Sequence, residues 1–264
     1  MEYPFTSINP DAKIGANVKI DPFVTIHENV VIGDGTWIGS SVTIMPGARI
    51  GKGCRIFPGA VIAAIPQDLK FVGEETTAEI GDNTTIREFV TINRGTVAIG
   101  KTVVGNDCLL MAYVHIAHDC VVGNHCILAN NVTLAGHVTI EDYAILEGLV
   151  AVQQFIRIGA HCFIAGSSLV RKNVPPYVKA AKEPLVYMGI NSVGLKRRGF
   201  SDETINMIQD IYRIIFQKGY RNSYALEMVE KVIPDTTVRN EIISFIRTSD
   251  KGIMKGNFDD ENKD

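Results

Sequence analysis

The sequence predicts a mainly β fold, a parallel β-helix of hexapeptide repeats followed by a small C-terminal α-helical domain. Three observations predict it. A large aliphatic residue recurs at every sixth position through the first two thirds of the chain, a small or β-branched residue follows each by four, and beyond Pro175-Pro176 the apolar period becomes helical.

Counting in sixes from Ile8 gives Ile14, Ile20, Ile26, Ile32, Ile38, Ile44, Ile50, Ile56 and Ile62 without a miss. The phase returns with Ile80, Ile86 and Ile92, and after one irregular step runs from Val104 through Leu110, Ile116, Val122, Leu128 and Leu134 to Val170. A period of six fits neither an amphipathic helix nor simple strand alternation. Short strands joined by tight turns do fit it: each hexad forms one flat side of a triangular prism, and three hexads close a coil. The aliphatic residue fills the interior, while the small one, as in Val18, Val24, Cys54 and Ala60, fits the narrow corner. Glycine directly after the aliphatic position (Gly15, Gly33, Gly51, Gly81, Gly105, Gly123, Gly159) is expected to supply the backbone conformation of the turn. Each strand then pairs with those one coil above and below, at ~4.8 Å. Residues 63–79, with Pro66-Gln67-Asp68-Leu69-Lys70-Phe71, and residues 93–103 interrupt the prism. Insertions in solenoids often form the binding face.

The boundaries follow: 1–183 for the β-helix, 184–249 for the helical domain and 250–264 for a flexible, polar, acidic tail. In the second domain Ser201 caps a helix carrying Ile205, Ile208, Ile211, Tyr212 and Ile215. A second helix is expected from about Tyr224 to Val232, and a third after Pro234 with Val238, Ile242, Phe245 and Ile246 on one face.

The chain has 264 residues, 46% hydrophobic and 21% charged, with a formal net charge of −3. Such a balance gives no bulk field for nucleic acid or an anionic membrane surface. No run of eighteen apolar residues occurs, so no membrane insertion is expected. Met1 to Thr6 lack the pattern of a secretion signal, and the expected location is cytoplasmic. The five cysteines, Cys54, Cys108, Cys120, Cys126 and Cys162, all fall at the small inward position, which makes them core residues rather than nucleophiles.

Chemistry is expected where polar residues stack on one outer edge. His118 is the third residue of its hexad, Gly136 stands one coil further on and Gln154 one more; His137 adjoins Gly136, Asp119 adjoins His118, and His115 precedes them. An imidazole poised near neutral pH can act as a general base, a neighbouring carboxylate can hold its ring, and a glycine N–H can receive an oxyanion. His27, His125 and His161 read as solvated surface residues. Clustered histidines also suit zinc, as in β-helix trimers that hydrate carbon dioxide, but that reading requires neither the helical domain nor the basic cluster Arg171, Lys172, Lys179, Lys182, Lys196, Arg197 and Arg198.

The run from His115-Ile-Ala-His-Asp through Ile127-Leu-Ala-Asn-Asn to Leu134-Ala-Gly-His137 resembles the active-site signature of the UDP-N-acetylglucosamine O-acyltransferases of lipid A synthesis. Gln67-Asp68-Leu69-Lys70, Arg87-Glu88, Asn93-Arg94-Gly95-Thr96, Val174-Pro-Pro-Tyr177 and Gly194-Leu-Lys-Arg-Arg-Gly-Phe200 are similar to that family as well. The resemblance implies a left-handed β-helix, a homotrimer with sites between adjacent prisms, and transfer of a 3-hydroxyacyl group from the phosphopantetheine of acyl carrier protein to the 3-hydroxyl of UDP-N-acetylglucosamine. It implies no metal and no further cofactor. Residue by residue, His118 is similar to the general base, Asp119 to its partner and Gly136 to the oxyanion donor. His115, His137 and Gln154 resemble substrate-positioning residues, with Asp68 and Lys70 near the sugar. The resemblance further implies that Asn191, Arg197 and Arg198 serve the nucleotide or carrier-protein side and that Phe163 and Gly166 map to the acyl-length ruler. The chain departs from the family pattern at Gln153, where histidine is usual, at Val193, often acidic, and at Glu147, commonly small.

Other readings have their own signatures. The related N-acyltransferase normally carries an extra N-terminal domain, whereas the repeats here begin at Ile8. Coenzyme A-dependent acetyltransferases share the hexads but are not expected to carry Gly194-Leu-Lys-Arg-Arg. An ice-binding or purely structural solenoid needs a flat, repetitive Thr-rich face, which the loops and histidines break.

Overall fold

A β-branched aliphatic at every sixth residue favours extended backbone and hides its side chain only if the strand's inner face meets others like itself. In the computed structural model, which describes residues 3–257, that requirement is met by a left-handed parallel β-helix. Among the described residues, successive hexads lay down three sheets. Face A has nine strands from Ser7–Ile8 to Leu169–Val170, face B eight from Lys13–Ile14 to Arg157–Ile158, and face C eleven beginning at Lys19–Ile20. Most strands are two residues long, one outward and one inward, and the inward residue is buried, as at Ile44, Ile56, Ile116, Leu128 and Leu134. Coils pair in register, Thr25 with Thr43 and His115 with Thr133. Across the two loops the register is wider, Ile62 facing Ile92 and Ile92 facing Ile116. The insertions add whole hexads, so the aliphatic phase survives them.

The glycines act differently from the sequence expectation. The left-handed turn positions (positive φ) are filled mainly by Asn, Asp, His and aromatic residues, such as Asn17, Asp107, Asp119, His125, His137 and Tyr143, with φ between 53° and 62°. Gly33, Gly51, Gly105 and Gly123 stand instead where consecutive coils nearly touch. A Cβ on Gly105 would lie 2.7 Å from the backbone of Gly123, and one on Gly33 2.6 Å from that of Gly51. Glycine is needed there for close approach of backbones, not for turn conformation.

All five cysteines are buried and free, as their inward positions imply. Burial pushes the Cys120 thiol up to about 12, which leaves it protonated and unreactive near neutral pH.

Face C continues past the coils. Val178–Ala181 adds in parallel to Phe163–Ile164, and Val186–Ile190 returns antiparallel; the expected division at 183/184 falls in the turn between these two strands. Among the described residues four helices follow: α1 (Ser192–Arg197), α2 (Asp202–Gln217), α3 (Asn222–Val232) and α4 (Thr237–Arg247). Ser201 caps α2 by accepting the Thr204 N–H, and Thr236 caps α4 by accepting that of Arg239. The period of the apolar residues becomes the buried faces Ile205, Ile208, Ile211, Tyr212, Ile215 and Ile242, Phe245, Ile246. Helix α1 is too short to show a period. No helix of the described residues is long and apolar enough to cross a membrane.

The expected flexible tail 250–264 needs correction over its first part. Lys255–Gly256 pairs with Val186–Tyr187, Met254 is buried, and its N–H donates to the Asn173 carbonyl at 3.0 Å. Met254 supplies the apolar contact and the strand supplies the backbone partners, so a largely polar segment still docks. Residues 258–264 lie outside the described residues.

Replacing Gly105 by Ala forces a methyl into the backbone of the next coil. The expected loss is about 1–3 kcal/mol, as for other overpacked sites, read as a lower Tm in thermal unfolding.

Candidate active site

The hexad arithmetic places the third and fourth residues of each repeat at an edge of the prism. Along the edge where face A turns into face B stand, from one end to the other, the loop 65–76, the loop 94–100, His118-Asp119, Gly136-His137 and Gln154-Phe155. Both interruptions and the histidine column therefore share one edge.

At its centre His118 and Asp119 are nearly sealed from solvent, 6% and 1% exposed. His118 Nδ1 lies 2.8 Å from Asp119 Oδ2. A carboxylate only accepts, so Nδ1 carries the proton and Nε2 is left with a free lone pair. Asp119 is anchored in turn: Oδ1 accepts from the Thr96 N–H at 2.9 Å, Oδ2 accepts from the Thr96 hydroxyl at 2.6 Å, and its own N–H donates to Thr102 Oγ1 at 2.8 Å. Burial pushes the Asp119 carboxyl up, but the Thr96 and His118 hydrogen bonds, with the nearby His137 charge, outweigh it and hold the group below the ordinary value of 3.8. Thr96 and Thr102 belong to the second interruption. Their part in the site is not visible in the repeat, because the inserted residues break the coil arithmetic there.

Gly136 lies against the imidazole. A Cβ at this position would sit 2.6 Å from His118 Cε1 and 2.7 Å from Nε2, so any side chain would displace the ring. The adjacent N–H groups are engaged, Ala135 with the Val152 carbonyl at 3.0 Å and His137 with the His118 carbonyl at 3.1 Å. Among the described residues the Gly136 N–H donates to no group. At the edge between faces B and C the equivalent N–H groups are taken by the next coil, Asn106 by Asn124 Oδ1 and Asn124 by Asp142 Oδ1. Here the next coil presents Gln154, which is exposed and leaves that donor vacant.

His137 packs edge-on to His118, ring centroids 5.1 Å apart, with Nε2 3.7 Å from Asp119 Oδ2. Ligand-capable atoms of His118, Asp119 and His137 all lie within 4.8 Å of one another, close enough to hold a cation. The Asp119 oxygens, however, already accept from Thr96 and His118, which suits a carboxylate that orients an imidazole. His115 sits on face A, hydrogen-bonded through Nδ1 to Thr91 Oγ1 at 2.7 Å, and burial lowers its pKa. Asp68 and Lys70 share a turn of the first loop, the Lys70 N–H donating to Asp68 Oδ1 at 3.0 Å. That loop is tied down where Asn93 Nδ2 donates to the Ile65 carbonyl and Arg94 lies over Phe71.

The other expected residues stand elsewhere in the chain. Asn191 caps α1 and donates to the His161 carbonyl at 2.9 Å. Arg198 donates to the Tyr143 carbonyl at 3.1 Å, while its Nη1 is buried without a partner. These groups, with exposed Arg197 nearby on α1, gather at the edge between faces B and C. Phe163 lies on face C, and Gly166 at the edge between faces C and A, where its N–H donates to Glu147 Oε2 at 3.0 Å. One chain thus unites the histidine column with the loops but not with the α1 residues or the ruler pair. The reading of His161 as solvated also needs correction, whereas His125 is exposed as expected. His161 and His125 stack on Tyr143 at 4.9 and 4.6 Å, and for His161 burial, reinforced by Arg198 and opposed by Asp142, lowers the pKa to about 4.

The chain matches the family described as Udp N-acetylglucosamine O-acyltransferase, Domain 2, over residues 173–254, and bacterial transferase hexapeptide repeats over residues 29–64 and 101–136. It is 45% identical over 199 residues to an acyl-(acyl-carrier-protein)–UDP-N-acetylglucosamine O-acyltransferase of Janthinobacterium sp. (strain Marseille), covering 74% of this chain and 76% of that one. A protein of the same name from Paracidovorax citrulli is 47% identical over 195 residues, covering 70% and 74%. The crystal structure of a UDP-N-acetylglucosamine acyltransferase from Bacteroides fragilis 9343 superposes with a TM-score of 0.95 at 53% identity, covering 97% of this chain and all of that one.

Two outcomes are expected of the site. Gly136→Ala pushes the imidazole aside and lowers turnover about a hundredfold, read by steady-state kinetics. Thr96→Val removes a bond that depresses the Asp119 carboxyl. A depressed carboxyl stabilises the fold above its unfolded value and loses that contribution as pH falls through the folded value. The acid-unfolding midpoint of Thr96→Val is therefore expected at higher pH than that of the parent, as followed by circular dichroism.

Proposed function

The chain belongs to the acyl-(acyl-carrier-protein)–UDP-N-acetylglucosamine O-acyltransferase family, and from that premise we propose how this acyltransferase works. It moves a 3-hydroxyacyl group from acyl carrier protein to the 3-hydroxyl of UDP-N-acetylglucosamine, the first step of lipid A synthesis, in the cytoplasm. The observation that carries this reading is the buried His118 imidazole, bonded to Asp119 through Nδ1 and lying against Gly136.

In the proposed reaction the free lone pair of His118 Nε2 takes the sugar hydroxyl proton while that oxygen attacks the thioester carbonyl carbon. The carbonyl oxygen gathers negative charge and receives the unengaged Gly136 N–H. Collapse re-forms the carbonyl and breaks the C–S bond, and the imidazolium returns its proton to the departing phosphopantetheine sulfur. Asp119 holds the ring and stabilises its charged state. A positioned base contributes about 10²–10⁴-fold, and one oxyanion donor about 2.7–4 kcal/mol. A thioester is already activated, so the route needs neither a metal nor a covalent enzyme intermediate.

His115, His137, Gln154, Asp68 and Lys70 share the histidine edge and are assigned to the sugar. Arg198, with a buried nitrogen free of partners, and Arg197 and Asn191 are assigned to the nucleotide or carrier protein. Because these sets lie on different edges of the prism, a complete site calls for neighbouring chains side by side, which supports a homotrimer. The exposed apolar residues Phe5, Phe23, Phe89, Tyr113 and Leu149 along the edge between faces C and A suit such contacts. Phe163 and Gly166 are assigned to acyl-length selection, with the Glu147 carboxylate beside Gly166 as a constraint on that track.

The test is a panel of 3-hydroxyacyl carrier-protein thioesters offered with UDP-N-acetylglucosamine. Transfer to the sugar is expected for one chain length above the rest, and absence of transfer from every donor would refute the assignment. His118→Ala is expected to lose about 10²–10⁴-fold in turnover with an unchanged Tm. Exhaustive chelation is expected to leave activity intact; a loss restored by zinc would transfer the histidine cluster to metal chemistry.

A further inference from the structure

The column that holds Asp119, beside His118, continues beyond His137. Phe155 stands one coil further on, its ring stacked on His137 with centroids 4.6 Å apart and 11° between planes. The next residue of that column is Asn173, whose side chain accepts the Arg157 N–H at 2.8 Å rather than extending the stack. The outer side of Phe155 therefore borders a cavity of about 380 Å³, lined also by Arg157, Asn173, Thr248, Asp250 and Lys251. The Lys251 ammonium lies over the Phe155 ring, 5.4 Å from its centroid. Arg157, the other cation there, is engaged by Glu141 at 3.2 Å, by Thr248 at 2.9 Å and by the face of Phe245.

Lys251 is held in place by the docked C-terminal segment. Its carbonyl accepts from Lys172 Nζ at 2.9 Å, and the Gly252 carbonyl accepts from the Asn173 N–H at 3.0 Å. Met254 and the strand Lys255–Gly256 fix the rest. A continuous line of contacts thus runs from this segment through Lys251, Phe155 and His137 to His118 and Asp119.

We propose that Lys251 is a positioning residue for acyl transfer: its ammonium clamps Phe155 from outside, and Phe155 keeps the His137 ring seated against His118 and Asp119. The proposal rests on the acyl-transfer reading above. It makes the C-terminal segment part of the site's support. A cation over an aromatic ring adds a directional attraction that an apolar neighbour of equal size would not supply.

The experiment compares the full-length parent with Lys251→Gln, Lys251→Arg, Phe155→Leu and the Phe155→Leu/Lys251→Gln double variant. Point substitution is used because deleting the segment would also strip Met254 from the core. Lys251→Gln is expected to lower kcat about two- to fivefold, the size of one such contact. KM for UDP-N-acetylglucosamine and Tm stay near those of the parent, and Lys251→Arg retains parental kcat. In the Phe155→Leu background the Lys251→Gln change has no further effect. Parental kcat in Lys251→Gln, an undiminished loss in the Phe155→Leu background, or a loss tracking a lower Tm that arginine does not restore would each overturn the proposal. A parent inactive with every donor would refute the acyl-transfer reading instead. The clamp is then read from the ring resonances of labelled His137, which are expected to move in Lys251→Gln and not in Lys251→Arg; unmoved resonances in both would overturn it.

Discussion

The His137 N–H donates to the His118 carbonyl at 3.1 Å, and that hydrogen bond is one rung of the parallel ladder joining every coil to the next. The ladder allows no slip, because a shift by one residue would turn the isoleucines outward and the polar residues inward. Register is therefore set by the whole hydrophobic interior, and it places residues eighteen apart in sequence directly beside each other. His118 meets Gly136 because dozens of rungs and a column of buried aliphatics far from the site hold their coils in step. The geometry of this site is a by-product of core packing, with rigidity that a loop-borne site would lack.

The turns decide where that rigidity is left open. Each corner bends through a residue in the left-handed region, and the backbone N–H just before it points out of the ladder. Between faces B and C an Asn or Asp of the next coil accepts it, so this edge is closed. At Gly136 the same donor has no protein acceptor among the described residues and lies beside the His118 ring. A closed edge adds stability, and an open one leaves a donor free. The prism carries both.

Two histidines in similar turn environments show how the surroundings assign roles. His118 has a carboxylate on Nδ1, itself fixed by Thr96, so a positive imidazole has a partner waiting. His161 lies between Tyr143 and Tyr177 with Arg198 close by, and burial and that cation keep it neutral far below physiological pH. One ring is oriented by a carboxylate, and the other is held as an aromatic plate in a stack.

The period of six by itself determined the prism, its inward aliphatics, the inert cysteines and the coil arithmetic that sets His118 over Gly136, since each follows from local spacing repeated without error. The helices with Ser201 caps and periodic isoleucines were legible for the same reason. Tertiary structure alone decided what the spacing does not encode. Thr96 reaches Asp119 from an insertion that breaks the count, and the glycines directly after the aliphatic position, such as Gly33 and Gly105, prove necessary for contact between coils rather than for turns. A largely polar C-terminal stretch becomes a strand only because Val186–Tyr187 offers an open edge and the core a place for Met254. Repeats convert sequence distance into spatial distance by a fixed rule, whereas contacts across insertions and between domains depend on surfaces that exist only after the chain has packed.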